Sequence, residues 1–483
     1  MSCYIPRALS LAASVAWGEL RHDPVRAALL GVRLLPPPVR RRVRPLERRL
    51  AGRARTAGPT AAPSGGRVPA PPAACTVRPV PGRVLHLVTN GLPFKHAGYT
   101  VRTQKIAEAQ RAAGLDPHVV TRIGFPVAQG VLDARPLQTV GGVPQHRLLP
   151  TWLPYGQAAV LARNAELAGR LVERLRPAVL HAATDHGNGR VALALREAYG
   201  LPVVYEVRGF LEDTWLTQAP GRTCDDPTYR ARRDLETHCM READVVLTLG
   251  AAMKAEIVAR GVPEERVLIV PNAVDEEFLA PLPDGAPLRA RLGIAPDDLV
   301  VGTVSSLTPH EGIGTLLHAG VELRRRGVPL RLLIVGDGPE RAALQRLAGR
   351  LGLADGTALF TGRVPHARVR DFHAVLDVFA VPRTDERVCR LVTPLKPVEA
   401  MASGLPVAAS DLPALRELVK PGATGRLISG GSPQTWAEAI EFILYSEKRP
   451  EWGAAAREIV ARDRTWTRVA STTREAYRAL GCL

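Results

Sequence analysis

From residue 83 onward, short apolar segments alternate with helical stretches, and the alternation begins afresh after Asp275. The segments are rich in β-branched residues, which is typical of strands in parallel sheets that helices cover on both faces. Strands are predicted at 83–89, 118–122, 178–183, 203–207, 244–249 and 266–270, and then at 299–305, 330–336, 358–362, 378–382 and 406–410. This repetition predicts an α/β protein with two Rossmann-like, doubly wound domains that face each other across a cleft.

The rest of the chain divides around these domains, and 483 residues are enough for both and an added segment. We place a basic extension and linker at 1–82, the first domain at 83–275, the second at 276–462 and a C-terminal helix at 463–483. Residues 51–82 are rich in Ala, Pro, Gly and Arg, a composition typical of a flexible linker.

Positive charge is concentrated at the start of the chain. Residues 1–80 hold fourteen Arg and three acidic residues, so +11 of the net charge of +17 lies there. The stripe at 39–50 predicts contact with an anionic membrane surface through residues 1–55; a disordered tail is the alternative. The tail has few aromatic residues to stack on bases, so we expect no nucleic-acid partner.

Cysteines and apolar runs indicate the compartment. Six scattered cysteines without a C-x-x-C pair fit reduced thiols better than a disulfide framework. No run approaches the roughly 18–20 apolar residues of a membrane-spanning helix. We therefore expect a cytoplasmic protein, peripheral at the inner face of the membrane.

Charged side chains are dense just before one predicted helix of the second domain. Arg383, Asp385, Glu386, Arg387, Arg390 and Lys396 precede or open it, and Glu399 lies within it. A charged loop that leads into a helix N-terminus favours an anion such as a phosphate, because amide donors and the helix dipole point at it. A solvated loop is the alternative reading of the charge alone.

Four segments, taken in chain order, resemble family 4 retaining glycosyltransferases, which have the GT-B fold. They are VVYEVRGFLEDTW (203–215), VLIVPNAVDEEF (267–278), LLIVGDGPERAALQRLA (332–348) and PLKPVEAMASGLPVAAS (394–410). The resemblance implies transfer of a sugar from a nucleotide-sugar donor to an acceptor hydroxyl or amine, with retention of configuration. It also implies a sugar, lipid-linked or small-molecule acceptor, and a last helix that crosses back to the first domain.

The resemblance assigns donor-binding roles to several residues. Glu399 matches the last acid of the family's Glu-x7-Glu motif, which accepts hydrogen bonds from the nucleotide ribose. TGRVPH (361–366) occupies the loop in which main-chain groups contact the base. The expected donor-binding residues are Gly98, Arg363, Val364, Thr393, Leu395 and Glu399.

The chain departs from the family at the positions that meet the diphosphate. Leu391 stands where the motif's first acid belongs, and Glu386 is the nearest substitute for contact with the donor sugar. Ser306 and Glu311 stand where the family carries Arg and Lys. A departing nucleoside diphosphate needs cations or donors. We therefore expect Arg383 and Lys396 to have taken over, and count both with Glu386 as catalytic.

Residues after two strands of the first domain are candidates for the acceptor side. His186 is expected to hydrogen-bond the transferred sugar or the acceptor and is grouped with the catalytic residues, with a structural role as the alternative. Arg208 and Glu212 are expected either to form a buried pair or to line the acceptor site. Tyr99, which follows Gly98, is expected to line the same site.

Other functions stay open from the sequence alone. The same fold serves nucleotide-sugar 2-epimerases, and the altered phosphate positions are compatible with an inactive scaffold. The basic tail taken alone would fit a nucleic-acid-binding protein, which would bind with a steep salt dependence. No D-x-D loop, H-E-x-x-H or Cys/His cluster is found, so we expect no metal and no cofactor beyond the nucleotide-sugar co-substrate.

Overall fold

The computed structural model describes residues 4–20, 24–35, 40, 43–47, 49–50, 65–218 and 221–483. The chain forms two compact units. Unit 1 comprises Met1–Leu249, Lys254–Val270 and Val469–Leu483, and unit 2 comprises Gly250–Met253 and Pro271–Arg468. The last fifteen residues thus belong with the first half of the chain.

Unit 1 contains a sheet of eight strands in the order β3-β4-β2-β1-β5-β6-β7-β8. Only the β3–β4 pair is antiparallel. Every residue of β5 and β6 is buried, which explains their continuous apolar sequence. The strands are β1 (Arg83–Val88), β2 (Asp116–Thr121), β3 (Leu137–Val140), β4 (Val143–Arg147), β5 (Val179–Ala183), β6 (Val203–Val207), β7 (Val245–Thr248) and β8 (Val267–Ile269).

Unit 2 contains a parallel sheet of six strands in the order β11-β10-β9-β12-β13-β14. The order reverses beside β9, which is where ligands bind in sheets of this type. The strands are β9 (Leu299–Val304), β10 (Leu330–Val335), β11 (Ala358–Gly362), β12 (Val378–Val381), β13 (Val407–Ser410) and β14 (Gly425–Ile428).

Helices connect the strands and bury the two faces of each sheet. In unit 2, one apolar cluster contains Phe379, Val398 and Met401, and the other contains Leu316, Leu332 and Trp436. The helices described are α1 (Tyr4–Leu20), α2 (Pro24–Leu34), α3 (Gly98–Ala112), α4 (Gln157–Leu175), α5 (His186–Tyr199), α6 (Leu211–Leu216), α7 (Pro227–Glu242), α8 (Ala251–Ala259), α9 (Ala286–Arg291), α10 (Ile313–Arg325), α11 (Arg341–Arg350), α12 (Val369–His373), α13 (Arg387–Leu391), α14 (Lys396–Ala402), α15 (Pro413–Arg416), α16 (Pro433–Tyr445), α17 (Arg449–Asp463) and α18 (Trp466–Ala479). The predicted class, two parallel sheets wound with helices, is confirmed.

The N-terminal extension contributes packed structure to unit 1. Leu11 of α1 is fully buried, in a cluster with Val127, Ala134 and Leu149. Part of the basic stripe at 39–50, and residues 51–64 of the expected linker, lie outside the described residues. Residues 65–82 have no helix or strand but are attached to unit 1, because Val68 is buried and the Val80 amide donates to the Arg176 carbonyl at 2.8 Å. A flexible linker was the wrong expectation for this stretch.

Candidate functional site

Two charged side chains of unit 2 meet where neighbouring strands end. β9 and β12 are paired, so the loops after them lie side by side. Arg383, after β12, donates from Nη2 to Oε1 of Glu311 at 2.7 Å and from Nη1 to the Val392 carbonyl at 3.2 Å. Its Nε is buried and has no hydrogen-bond partner among the described residues. The cation expected to meet a phosphate is thus held by the acid that replaces the family's Lys.

Glu399 is a buried carboxylate with two partners. It lies in the first turn of α14 and is 2% exposed. His366 Nε2 donates to Oε1 at 3.1 Å, and Lys396 Nζ donates to Oε2 at 2.9 Å. Burial by itself favours the neutral acid, but the His366 hydrogen bond and the Lys396 charge outweigh it and lower the pKa of Glu399 below its ordinary value. The site therefore holds a fixed anionic acceptor of hydrogen bonds.

The structure brings together two of the expected donor-site segments. His366 follows β11 in the same loop as Arg363 and Val364, so its hydrogen bond joins that loop to α14. Arg363 is exposed, and Val364 packs against the core. The sequence analysis assigned only main-chain contacts to this loop and missed the side chain of His366. His366 lies only three residues beyond Arg363, and this closeness in sequence could have marked it as a candidate donor-site residue.

The segment between Arg383 and α14 is more ordered than its charge indicates. Glu386 precedes the short helix α13 at its N-cap position, and its carboxylate accepts from Thr384 Oγ1 at 3.2 Å instead of capping the helix. Thr393 is 1% exposed, and its carbonyl accepts from Asn272 Nδ2 at 2.9 Å. The Leu395 carbonyl accepts the amides of residues 398 and 399 and so starts α14. These contacts fix the backbone around the charged side chains.

Glycines let the strand-end loops of unit 2 approach one another. A Cβ added to Gly336, which has φ +144°, would lie 1.8 Å from the Ser305 carbonyl oxygen. A Cβ on Gly338 would lie 2.2 Å from the Leu307 oxygen, and one on Gly312 would lie 1.8 Å from the Pro382 oxygen. The GDGPE segment is therefore required for close packing of the loops after β9 and β10.

In unit 1, Arg208 belongs to a buried ionic network. Its Nε donates to Oε2 of Glu206 at 2.9 Å, and its Nη1 donates to the Tyr99 carbonyl at 2.8 Å. Arg102 Nε donates to Oε1 of the same Glu206 at 2.8 Å. Burial opposes ionisation of Glu206, but Arg208 and Arg102 outweigh it and hold its pKa well below the ordinary value. The network fixes Arg208 at the carboxyl end of β6; the sequence analysis missed Arg102 and Glu206.

Arg208 and Glu212 do not form the buried pair that was one of the two alternatives expected from the sequence. Glu212 is fully buried and accepts from Arg260 Nη1 at 2.7 Å, while Arg208 pairs with Glu206. Glu212 therefore does not line an open site. Its charge is compensated by a side chain 48 residues further along the chain, a partner that local spacing could not reveal.

His186 opens α5 directly after β5 and is 9% exposed. Burial lowers its pKa to about 4, so the imidazole is neutral near pH 7. Its Nδ1 is buried and has no hydrogen-bond partner among the described residues. Its backbone amide donates to Oε1 of Glu236 at 2.7 Å, and Tyr205 donates to Oε2 of that acid at 2.5 Å. Glu236, also missed from the sequence, fixes the backbone of this turn.

Gly98 and Tyr99 begin α3 after the loop that follows β1. A Cβ added to Gly98 would have no atom within 4 Å, so the space beside this helix N-terminus is open. Tyr99 is 41% exposed, and its hydroxyl accepts from Asn90 Nδ2 at 2.8 Å. Across the ranges that the structure describes, no group of three or more His, Cys, Asp or Glu is arranged to hold a metal ion.

Two family profiles match the chain in succession. Residues 97–273 match the family described as "Glycosyl transferase 4-like domain", and residues 286–459 match "Glycosyl transferases group 1". Together with the two parallel sheets, these matches define the class: the chain belongs to the GT-B glycosyltransferases of the family 4 type. The family expected from the sequence is confirmed, and the protein is an enzyme of the hexosyltransferase type.

Among named relatives, the chain is 29% identical over 426 residues to the D-inositol 3-phosphate glycosyltransferase of Nocardia farcinica, covering 83% of this chain and 90% of that one. It is 34% identical over 224 residues to the GDP-mannose-dependent alpha-(1-6)-phosphatidylinositol monomannoside mannosyltransferase of Mycolicibacterium smegmatis, covering 46% and 57%.

Solved structures share the fold. Sucrose-phosphate synthase from Thermosynechococcus elongatus superposes with a TM-score of 0.66 at 21% identity, covering 82% of this chain and 99% of that one. HepE from Anabaena, crystallised with UDP, gives a TM-score of 0.64 at 20% identity, covering 82% and 100%. At such low identity the likeness establishes the GT-B fold alone.

Proposed function

We propose that this enzyme transfers a sugar from a nucleotide-sugar donor to an acceptor hydroxyl or amine and retains the anomeric configuration. The observation that carries the proposal is Glu399, an ionised carboxylate held in the first turn of α14 by His366 and Lys396. A nucleotide ribose offers two hydroxyl donors to such an acceptor. Bonds from hydroxyls to a charged acceptor stabilise a complex by about 1.5–3 kcal/mol each.

The leaving group sets the second requirement of the proposed reaction. The bond from the sugar carbon to the diphosphate oxygen breaks while the acceptor oxygen bonds to the same face of that carbon. The acceptor's proton passes to the departing phosphate oxygen, so positioning and charge stabilisation are needed more than a dedicated base. Arg383 and Lys396 are the proposed cations and Glu386 the proposed sugar contact. No divalent metal takes part in this proposal.

Unit 1 supplies the proposed acceptor side. Arg208 and Tyr99 are adjacent through the hydrogen bond to the Tyr99 carbonyl, and His186 is a neutral imidazole with a free ring nitrogen. Both named relatives act on inositol-containing acceptors, one of them a lipid. We therefore propose a sugar, a lipid-linked sugar or a small polyol as acceptor, in the synthesis of cell-surface glycans, glycolipids or secondary metabolites.

Location belongs to the same proposal. Within the described residues, none of the helices is both long and apolar enough to cross a bilayer. We propose that the enzyme acts in the cytoplasm and meets the inner face of the membrane through its basic extension.

The test combines donor screening with product analysis. The purified protein is titrated with UDP-, GDP- and ADP-sugars by thermal shift, and the best donor is then incubated with inositol phosphates and lipid-linked sugars. We expect one donor to raise the melting temperature and give a glycosylated product whose anomeric configuration, read by NMR, matches the donor. An inverted product would refute retention. An epimerised donor formed without acceptor would identify an epimerase, and no binding of any donor would identify an inactive scaffold.

A further inference from the structure

Exposed apolar side chains are concentrated around the N-terminal extension. Among the described residues, twelve large apolar side chains are exposed, and five of them lie in the extension or in the two loops that it covers. Those five are Leu9, Leu46, Leu132, Trp152 and Tyr155. Single exposed apolar residues are ordinary, but a local concentration marks a contact surface.

Trp152 lies in a loop whose backbone is hydrogen-bonded to α1, and Tyr155 follows three residues later. Ser10 of α1 donates from Oγ to the Thr151 carbonyl at 3.0 Å, and Ser14 Oγ accepts the Leu153 amide at 3.2 Å. The Leu153 side chain packs into the cluster beneath α1. Trp152 is nevertheless 62% exposed and Tyr155 60% exposed. Leu9, 51% exposed, adjoins the hydrogen-bonded Ser10, so this helix and this loop present one apolar rim.

The arginine-rich segment is attached to the same structure. Glu47 accepts from Arg40 at 2.9 and 2.7 Å and lies 3.5 Å from Arg33 of α2. This is the only acid between residues 24 and 107, and it is engaged internally. Arg44 and Arg49 are exposed beside Leu46. Positive charge and exposed apolar side chains therefore occur together.

We propose that Leu9, Trp152 and Tyr155, together with the exposed Arg44 and Arg49, form a docking surface for an anionic phospholipid bilayer. Tryptophan and tyrosine prefer the boundary between lipid and water because each has an apolar ring and a polar group. Clustered arginines attract anionic headgroups, and the combination of both signals gives reversible binding. The inference deepens the proposed peripheral location and names the side chains that enter the interface.

Vesicle co-sedimentation of the full-length protein tests this surface. The vesicles are phosphatidylcholine alone or mixed with phosphatidylglycerol, at low and high salt. We expect binding to the anionic vesicles that weakens with salt. The double variant Trp152→Ser/Tyr155→Ser should bind about tenfold more weakly, equivalent to about 1.4 kcal/mol. Arg44→Ser/Arg49→Ser should weaken binding to anionic vesicles only.

The matched control is Phe442→Ser/Tyr445→Ser, which removes two aromatic side chains of unit 2 that are 50% and 60% exposed. It should bind vesicles like the wild type. Equal loss of vesicle binding in Trp152→Ser/Tyr155→Ser and in Phe442→Ser/Tyr445→Ser would overturn the proposal. So would equal binding to neutral and anionic vesicles, or no binding to either. Salt-dependent binding to DNA that accounts for all the salt dependence would also overturn it.

No sugar donor is present in these assays, so they do not depend on the proposed transfer. Turnover of Trp152→Ser/Tyr155→Ser on a soluble acceptor is measured separately and should equal that of the wild type.

Discussion

At the scale of single residues, the buried acids differ in which neighbours compensate their negative charge. Glu399 and Glu206 are buried and ionised because hydrogen bonds and neighbouring cations outweigh the cost of burial, whereas burial and the Glu212 charge raise the pKa of Glu236 to about 8. Desolvation acts on all three, and the neighbours decide the charge state. Substitutions at Glu399, at the Arg383–Glu311 pair and at Glu236 test what such arrangements do.

Replacing Glu399 by Gln should weaken donor binding. The amide keeps the shape but loses the charge that accepts two ribose hydroxyls, so we expect affinity for the nucleotide to fall about ten- to hundredfold. Isothermal calorimetry with the donor found by screening measures this. Glu438→Gln, at a side chain that is 65% exposed, is the control and should bind normally. Unchanged affinity in Glu399→Gln would remove the carboxylate from the donor site.

A double substitution at Arg383 and Glu311 separates the effect of Arg383 on stability from its effect on turnover. Arg383→Ala leaves Glu311 as a largely buried acid without its partner and should cost about 3 kcal/mol of unfolding free energy. Adding Glu311→Gln should restore most of that stability, measured by urea denaturation. If Arg383 meets the leaving diphosphate, turnover of the double variant should stay about a hundredfold low. Recovery of turnover together with stability would show that the arginine only fixes the loop.

Glu236 should make stability depend on pH. Its pKa is about 8 in the folded protein and near its ordinary value of 4.5 when unfolded. The stabilisation by its bound proton is therefore complete below pH 4.5 and is lost as the pH rises to 8. Glu236→Gln cannot titrate, so the wild type should lose stability relative to this variant across that range, by a few kcal/mol. Melting curves at several pH values measure the difference; parallel pH profiles would contradict the assignment.

At the scale of secondary-structure elements, most strands could be predicted, including β8 and β11 at one edge of each sheet. β6 was predicted at 203–207 and is Val203–Val207, because a strand buried on both faces is a continuous β-branched run. β3, β4 and β14 were missed: β3 and β14 lie at sheet edges, and β4 pairs with β3 beside one of those edges. β3 alternates between exposed and half-buried residues, and β14 begins with Gly425, so neither has an apolar run to read.

At the candidate site, contacts between residues that are close in sequence could be predicted, and contacts between distant residues could not. Glu399 and Lys396 are three residues apart on one helix, so the sequence alone brings them together. His366 reaches Glu399 across 33 residues and Arg260 reaches Glu212 across 48. Such partners depend on which strand ends are neighbours, and that is fixed by the sheet order.

Most of the last helix, α18, belongs to unit 1, where the Tyr477 hydroxyl has two buried partners. Tyr477 is fully buried, and its oxygen lies 2.6 Å from His181 Nδ1 and 2.9 Å from Gln110 Nε2. Tyr477→Phe leaves both nitrogens without this partner and should lower the unfolding free energy by about 1–3 kcal/mol. Chemical denaturation, with hydrogen exchange at 469–479, measures it. Tyr445→Phe, at a site 60% exposed, should have no effect; equal losses would show that the buried hydroxyl is not what matters.

At the scale of the whole molecule, the extension is distinct in charge and lies outside the residues that the family profiles match. It holds +11 of the net charge of +17, and the family matches begin only at residue 97. Nevertheless α1 shares an apolar cluster with loops of unit 1, so its helices are part of that unit's folded structure rather than an independent tail. Most of the net charge of this protein therefore lies in the extension rather than in the segments that the family profiles match.

A matched pair of substitutions in α1 tests whether the extension is packed against the rest of unit 1. Leu11 is fully buried and Leu9 is 51% exposed, two positions apart on the same helix. Leu11→Ala removes methyl groups from the cluster and should cost about 2–5 kcal/mol of docking free energy, whereas Leu9→Ala should change it by less than about 0.5 kcal/mol. Hydrogen exchange in α1 and at residues 124–134 reports undocking directly. Because this cluster lies within unit 1 and Glu399 lies within unit 2, donor affinity should stay unchanged in both variants. Equal protection in Leu11→Ala and the wild type would mean that α1 is not held by this apolar contact.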